Sequence, residues 1–177
     1  MAIHKNFPDN PFEILKPEER WFPADEILRE KGYQKLLPPL VDKIRREVKK
    51  FRDDGYQGAS GTSKSLLKYW FQTKKNINGI NFQYYFAQRE SIETLVYLTE
   101  IADIESKHDL LKYSSTDELE ENMFEEDWLR LVIKMATGSG KTKVLSLAIA
   151  WCYFNRLYEN DKKFARNFIL IAPNIIV

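Results

Sequence analysis

Two apolar runs, Leu129 to Val132 and Phe168 to Ala172, stand on either side of a helical pattern from Lys141 to about Tyr158. Runs this short and this apolar fit strands buried on both faces, and the intervening helix predicts a right-handed crossover between parallel strands. Val144, Leu145, Leu147, Ala148, Ile149, Trp151, Phe154 and Leu157 leave the helix apolar on most sides, as expected of one packed on a sheet and covered further. The charged stretch from Glu159 to Arg166 turns the chain between helix and strand.

Upstream the pattern is mainly helical. Pro38-Pro39 opens a helix whose stripe is Val41, Ile44, Val48 and Phe51, and Gly55 is its stop. Lys43, Arg45, Arg46, Lys49, Lys50 and Arg52 occupy its other faces, where a solvated surface is the simpler reading than contact with a nucleic-acid backbone. Ser63 is the expected N-cap of a short helix from Lys64 to about Phe71, which buries Leu66, Leu67, Trp70 and Phe71. An alternating aromatic stretch, Ile80 to Phe86, leads into a helix opened by Gln88-Arg89-Glu90-Ser91, with Ile92, Leu95, Val96, Leu98 and Ile101 on its apolar side.

Two segments lack such periodicity. Residues 1–40 are rich in proline and aromatics, which predicts an extended arm pinned by Trp21 and Phe22. Residues 103–127 are polar and strongly acidic, which predicts a solvated linker and a poor DNA surface. The organisation expected is therefore an N-terminal arm and helical region over 1–78, then a nucleotide-binding core over 79–177 interrupted by the acidic insert. An apolar strand at the very end of the 177 residues leaves a parallel sheet unfinished, so the chain is expected to be a fragment.

Composition narrows the classes. No apolar window of about eighteen residues exists, so no membrane span is expected. The absence of an apolar leader after Met1 predicts a cytoplasmic protein. Cys152 is the single cysteine and sits mid-helix as filler, which excludes an internal disulfide and a cysteine zinc cluster. A net charge of +1 gives no global attraction to nucleic acid, so any such surface has to be local.

The chemistry lies between strand and helix, in Met135-Ala136-Thr137-Gly138-Ser139-Gly140-Lys141-Thr142. Small residues here let successive backbone N–H groups face an anion, and the helix N-terminus adds its partial positive charge. Thr137, Gly138, Ser139 and Gly140 are the candidate phosphate cradle, Lys141 the contact to the β- and γ-phosphates, and Thr142 the hydroxyl ligand of Mg²⁺. The expected cofactors are ATP and Mg²⁺. A strand–turn–helix that uses glycine only to turn accounts poorly for Lys-Thr at this spacing. Gly55 to Ser63 is also glycine-rich but lacks the Gly-Lys-Thr ending and a preceding strand.

Met135 stands where the general pattern has glycine. With that residue, "KMATGSGKT" resembles motif I of superfamily 2 helicases and translocases, most of all the variant in motor subunits of type I and type III restriction enzymes. "YFAQRESIETLVYL" resembles the segment before motif I in type III restriction endonuclease subunits and related DEAD/DEAH-type helicases. The resemblance implies an α/β fold, the start of a RecA-like domain of parallel sheet and flanking helices. It also implies that Gln88 meets the adenine edge, with Phe86 or Tyr85 stacking on the base; by its chemistry alone Gln88 is more often a helix-capping residue. Arg89 is left open between phosphate support and an ordinary salt bridge. Asn174, after the Phe168–Ala172 strand, falls at motif Ia, which in these helicases touches the nucleic-acid backbone; a plain strand-end turn is the alternative.

The function implied is an ATP-driven translocase on double-stranded DNA, partnered by a methyltransferase or specificity subunit. Hydrolysis in that design needs an acidic motif and lobe-two arginines that do not follow Pro173, so these residues alone are expected to bind ATP without turning it over. The rival readings are a P-loop ATPase that does not act on nucleic acid and an N-terminal module that docks a partner.

Overall fold

The computed structural model describes residues 10–14, 40–113 and 131–169. Trp21, Phe22, Pro38-Pro39, the acidic run from Asp117 to Asp127, Leu129 and Asn174 lie outside the described residues. The elements are α1 (Val41–Asp53), α2 (Gly61–Phe71), β1 (Lys75–Ile77), β2 (Ile80–Phe82), α3 (Phe86–Val96), a π-helical turn (Tyr97–Ile101), a 3₁₀ segment (Lys107–Tyr113) and α4 (Lys141–Tyr158). Helix α3 lies at the centre, in contact with α1, α2 and α4.

Helix α1 buries Val48 and Phe51 and ends as its glycine demands. Gly55 takes φ +67°. Its N–H donates to Arg52 O at 3.1 Å, and Tyr56 N–H donates to Phe51 O at 2.8 Å, the paired bonds of a Schellman stop. Tyr56 is itself left-handed, at φ +65°. That conformation is unfavourable for a bulky side chain. It is offset by a fully buried ring, edge-on to Phe51 at 5.3 Å, and a hydroxyl that donates to Glu93 Oε1 at 2.7 Å.

Helix α2 starts at Gly61, and its N-cap is Ser60 rather than Ser63. The Ser60 hydroxyl accepts the Ser63 N–H at 3.0 Å. Ser63 cannot serve as cap because its own hydroxyl is buried and committed elsewhere. It accepts from Trp151 Nε1 at 2.7 Å and Asn155 Nδ2 at 2.9 Å, and donates to Glu100.

The alternating aromatic stretch forms half of an antiparallel hairpin, with Lys75 opposite Phe82 and Ile77 opposite Ile80. Its turn is Asn78-Gly79, at φ +52° and +82°. Both central residues of a type I′ turn need positive φ, and Asn-Gly supplies them most cheaply. Helix α3 then begins at Phe86, two residues before Gln88.

The parallel sheet expected around α4 is not present among the described residues, where β1–β2 is the one sheet. Residues 131–136 and 167–169 carry no strand pairing. Val132 and Ile169 are 80% and 90% exposed, so the described ends of the two runs lack the cover that a parallel ladder requires. Helix α4 itself spans Lys141–Tyr158, as its pattern predicts. It buries one stripe, Val144, Leu147, Trp151 and Asn155, at spacings of three and four, while Leu145 and Leu157 are about half exposed. The linker reading fails for the start of the acidic segment. Ile104, Leu110 and Tyr113 join the core, and the Tyr113 and Tyr97 hydroxyls share a hydrogen bond of 3.2 Å.

Glu93 on α3 is fully buried and has four polar contacts. Its carboxylate accepts from Arg52 Nε, Tyr56 Oη and Arg89 Nε, each at 2.7 Å, and Arg52 Nη2 approaches to 2.6 Å. Helix α1, the loop after it and α3 are thus tied at one anion. Removing that anion takes from Arg89 its ion-pair partner and leaves Arg52 with the more distant Glu90, whose Oε1 is 3.9 Å away. Glu93→Ala is expected to cost about 3–5 kcal/mol of unfolding free energy, read as a lowered urea midpoint at unchanged slope. A loss below about 1 kcal/mol would contradict this account.

Candidate phosphate-binding loop

The loop between residue 134 and α4 is built by two left-handed glycines, Gly138 at φ +79° and Gly140 at φ +81°. They have different reasons to be glycine. A Cβ on Gly138 would meet nothing within 4 Å, so only its backbone angle is demanding. A Cβ on Gly140 would sit 2.2 Å from Gln88 Nε2, so space is demanded as well. Between them Ser139 closes a tight turn, its N–H and hydroxyl both donating to Ala136 O, at 3.3 and 2.6 Å.

Gly140 is the residue before α4, and no side chain caps that end. Lys143 and Val144 N–H groups turn back to Gly140 O. Lys141 and Thr142, in the first turn, have no preceding helical carbonyl to donate to, so their N–H groups are the helix's spare donors. The Lys141 ammonium folds over the loop and donates to Met135 O at 3.3 Å and Ala136 O at 3.2 Å. Thr142 is exposed.

Met135, the departure from the glycine pattern, anchors the loop. It packs against the core, and its sulfur accepts the Ser91 hydroxyl of α3 at 3.8 Å. Gln88 makes the second tie. Its Oε1 accepts Tyr85 N–H at 3.0 Å, the side-chain half of a capping box, and its Nε2 donates to Ser139 O at 3.1 Å. The capping role and the link to the loop are therefore held by one amide. Arg89, left open by the sequence, forms the ordinary salt bridge with Glu93 and donates to Tyr56 Oη at 3.0 Å. Burial pulls its pKa down, but Glu93 and Tyr56 outweigh that, and the guanidinium pKa is raised.

A cleft of about 410 Å³ opens beside the loop, lined by Pro11, Glu13, Tyr85 to Ala87 and Thr137 to Ser139. Its size is that of a small-ligand site. Of the two candidate rings, Phe86 is 8% exposed and carries the Arg52 guanidinium 5.2 Å from its centroid. Tyr85 is 40% exposed, with Phe12 against it at 5.3 Å. The arm residues at this wall were not foreseen. Pro11 O accepts the Phe86 N–H at 2.9 Å, and Asn10 Oδ1 holds the turn by accepting Phe12 N–H at 3.0 Å. The sequence signal was Asn10-Pro11, a turn-former.

A family model for the type III restriction enzyme, res subunit, matches residues 82–177. The chain belongs to this family. The match begins at β2 and takes in α3, the loop and α4, and with them Tyr85 to Ala87 and Thr137 to Ser139 of the cleft wall. Searches of curated proteins and of solved structures returned no match. Among the described residues no helix is long and apolar enough to cross a membrane.

The tie between Gln88 and Gly140 can be measured. Gly140→Ala is expected to cost about 1–2 kcal/mol through its left-handed backbone alone. The further cost of the collision is expected to disappear when Gln88→Ala is present. A double-mutant cycle followed by urea unfolding should then return a coupling above about 0.5 kcal/mol, and strict additivity would deny the contact.

Proposed function

We propose that these residues bind Mg-ATP and form the nucleotide-binding part of an ATP-dependent DNA helicase or translocase of a restriction system. The observation that carries the reading is the loop itself. Two left-handed glycines, an uncapped helix start and a Lys-Thr pair follow one another in a loop whose Thr137 to Ser139 line a cleft, within a chain of the res subunit family.

The residues fit a polyphosphate. Spare N–H donors at the start of α4 suit phosphate oxygens, and the helix dipole favours the same charge. The Lys141 ammonium rests on two loop carbonyls, neutral acceptors that a phosphate oxygen outcompetes because the new bond is between opposite charges. Thr142 supplies a hydroxyl to Mg²⁺, and Thr137 to Gly140 line the phosphates. Tyr85, Phe86 and the Gln88 amide form the base side. Adenine presents both a donor and an acceptor on one edge, which a free amide matches. Gln88 reaches it by exchanging its bond to Ser139. Mg²⁺, when bound, neutralises phosphate charge as it develops in transfer. In the complete motor, double-stranded DNA and a methyltransferase subunit are the partners we assign.

The test is thermal unfolding with Mg-ATP or Mg-ADP, beside Lys141→Ala. Nucleotide at about a hundredfold over its dissociation constant stabilises by roughly 2.7 kcal/mol. The shift should vanish in Lys141→Ala. A nucleotide shift that survives the substitution, or none in the parent chain, would sink the proposal.

A further inference from the structure

We propose that α2 and the hairpin form a surface for single-stranded nucleic acid, with lysines on the phosphates and Tyr69 as a stacking platform. The inference extends the motor reading by naming a second site, but it rests on charge and ring geometry and does not require the loop to bind nucleotide.

The first observation is a charge pattern. From Gly55 to Arg89 the chain has no aspartate or glutamate, although the whole sequence has 26, and in the same stretch it has Lys64, Lys68, Lys74, Lys75 and Arg89. The structure separates these cations from those of α1. On α1, Arg46 pairs with Asp42, Lys49 with Asp53, Lys50 with Glu47 and Arg52 with Glu93. Lys64, Lys68 and Lys74 pair with no carboxylate among the described residues, and Lys68 and Lys74 are exposed. Lys64 and Lys68 are one helical turn apart and so lie on one face. Among the described residues carboxylates bond to α2 at its start, where Glu159 accepts Thr62 N–H and Glu100 holds Ser60 and Ser63. Lysines without a carboxylate partner among the described residues suit a polyanion surface, since each phosphate contact releases a counterion.

The second observation is aromatic. Tyr69 is 58% exposed, and Lys75 Nζ lies 4.3 Å from its centroid and 4.9 Å from that of Tyr84. The same ammonium donates to Trp70 O at 3.4 Å. Phe71, Tyr84 and Phe82 continue the contact edge to face, at 5.5 and 4.9 Å. The exposed ring is thus held in place before any ligand arrives. Around it the hairpin exposes Asn76, Asn78, Asn81 and Gln83, amides able to pair with base edges. A rigid ring on an element that also carries lysines is how sequence-tolerant single-strand sites are made. In a duplex the base faces are already stacked, so an open ring there would have nothing to receive.

The experiment measures fluorescence anisotropy of a labelled oligothymidylate of about 20 nucleotides, and of its duplex, with the complete chain and no nucleotide present. Binding to the single strand should exceed binding to the duplex. Lys64→Ala/Lys68→Ala/Lys74→Ala should weaken it at least ~10-fold and lower the salt slope by about 2, at roughly 0.7 per lysine. Lys43→Ala/Lys49→Ala/Lys50→Ala removes the same charge from α1 and should change it less than ~2-fold. Tyr69→Ala should weaken binding ~5-fold or more, with Tyr69→Phe restoring it. Equal losses in the two triple variants, equal affinity for duplex, displacement by polyglutamate as readily as by oligonucleotide, or no binding would each overturn the proposal. None of these readouts depends on Mg-ATP, so this surface and the nucleotide site can fail separately.

Discussion

A single buried carboxylate sets the frame on which the rest depends. Glu93 has no exposure, and an ionised carboxylate offers about four acceptor positions, so four polar contacts satisfy it. Taking charges out of water is expensive, and such clusters seldom add net stability over a well-packed apolar alternative. What this cluster contributes is register. Arg52 fixes which face of α1 meets α3, Tyr56 fixes the turn after α1, and Arg89 stands one helical turn before Glu93 and one residue after Gln88. The burial of the Tyr56 hydroxyl and its bond to Glu93 push its pKa up, so it stays a donor at any ordinary pH. The residue that touches the loop is therefore aimed by an anion it never meets.

A second polar node fixes the other partner of that contact. Glu100 reaches Ser60, Ser63 and Trp151 because the π-helical turn at Tyr97–Ile101 adds a residue to the end of α3. Asn155 links the same hydroxyls to α4, where Ser60 Oγ donates to its Oδ1 at 2.7 Å. Apolar packing alone lets a helix slide or roll, whereas hydrogen bonds of fixed geometry do not. With α3 held by Glu93 and α4 held by Ser63 and Glu100, Gln88 and Gly140 come within van der Waals distance. The loop conformation follows from that proximity as much as from the glycines themselves.

Much of this was legible in the residues, for reasons that differ by element. Helix α4 and the stop of α1 rest on local rules, a long apolar pattern and a glycine that takes the left-handed position, so they appear where expected. The hairpin also had a local signal, Asn78-Gly79, which the aromatic alternation of Ile80 to Phe86 drew attention away from. Ser63 was misread because its role is set by Trp151 and Asn155, more than eighty residues on, which no local pattern contains. The parallel strands are not seen among the described residues for a related reason, since a strand exists only with a neighbour to bond. Within the site, Lys141 and Thr142 were given by the motif, whereas the arm residues at the cleft wall depend on a long-range bond from Phe86 to Pro11.

The bonds made by Gln88 and Lys141 also bear on the proposed nucleotide binding. Gln88 uses both ends of its amide on protein, and Lys141 spends its ammonium on the carbonyls of its own loop. In the nucleotide binding proposed above, each of these bonds would be replaced rather than lost. The net gain per exchange is then small for the neutral amide and larger for the ammonium, which trades carbonyls for a charged oxygen. Affinity should accordingly reside in the phosphates, and the base side should supply selection between nucleotides. Under the proposed function, that division would put the discriminating residue on α3, whose position Glu93 sets, and the binding residue on α4, whose position Ser63 sets. A fold that secures the two helices by separate polar nodes can adjust selectivity and affinity independently.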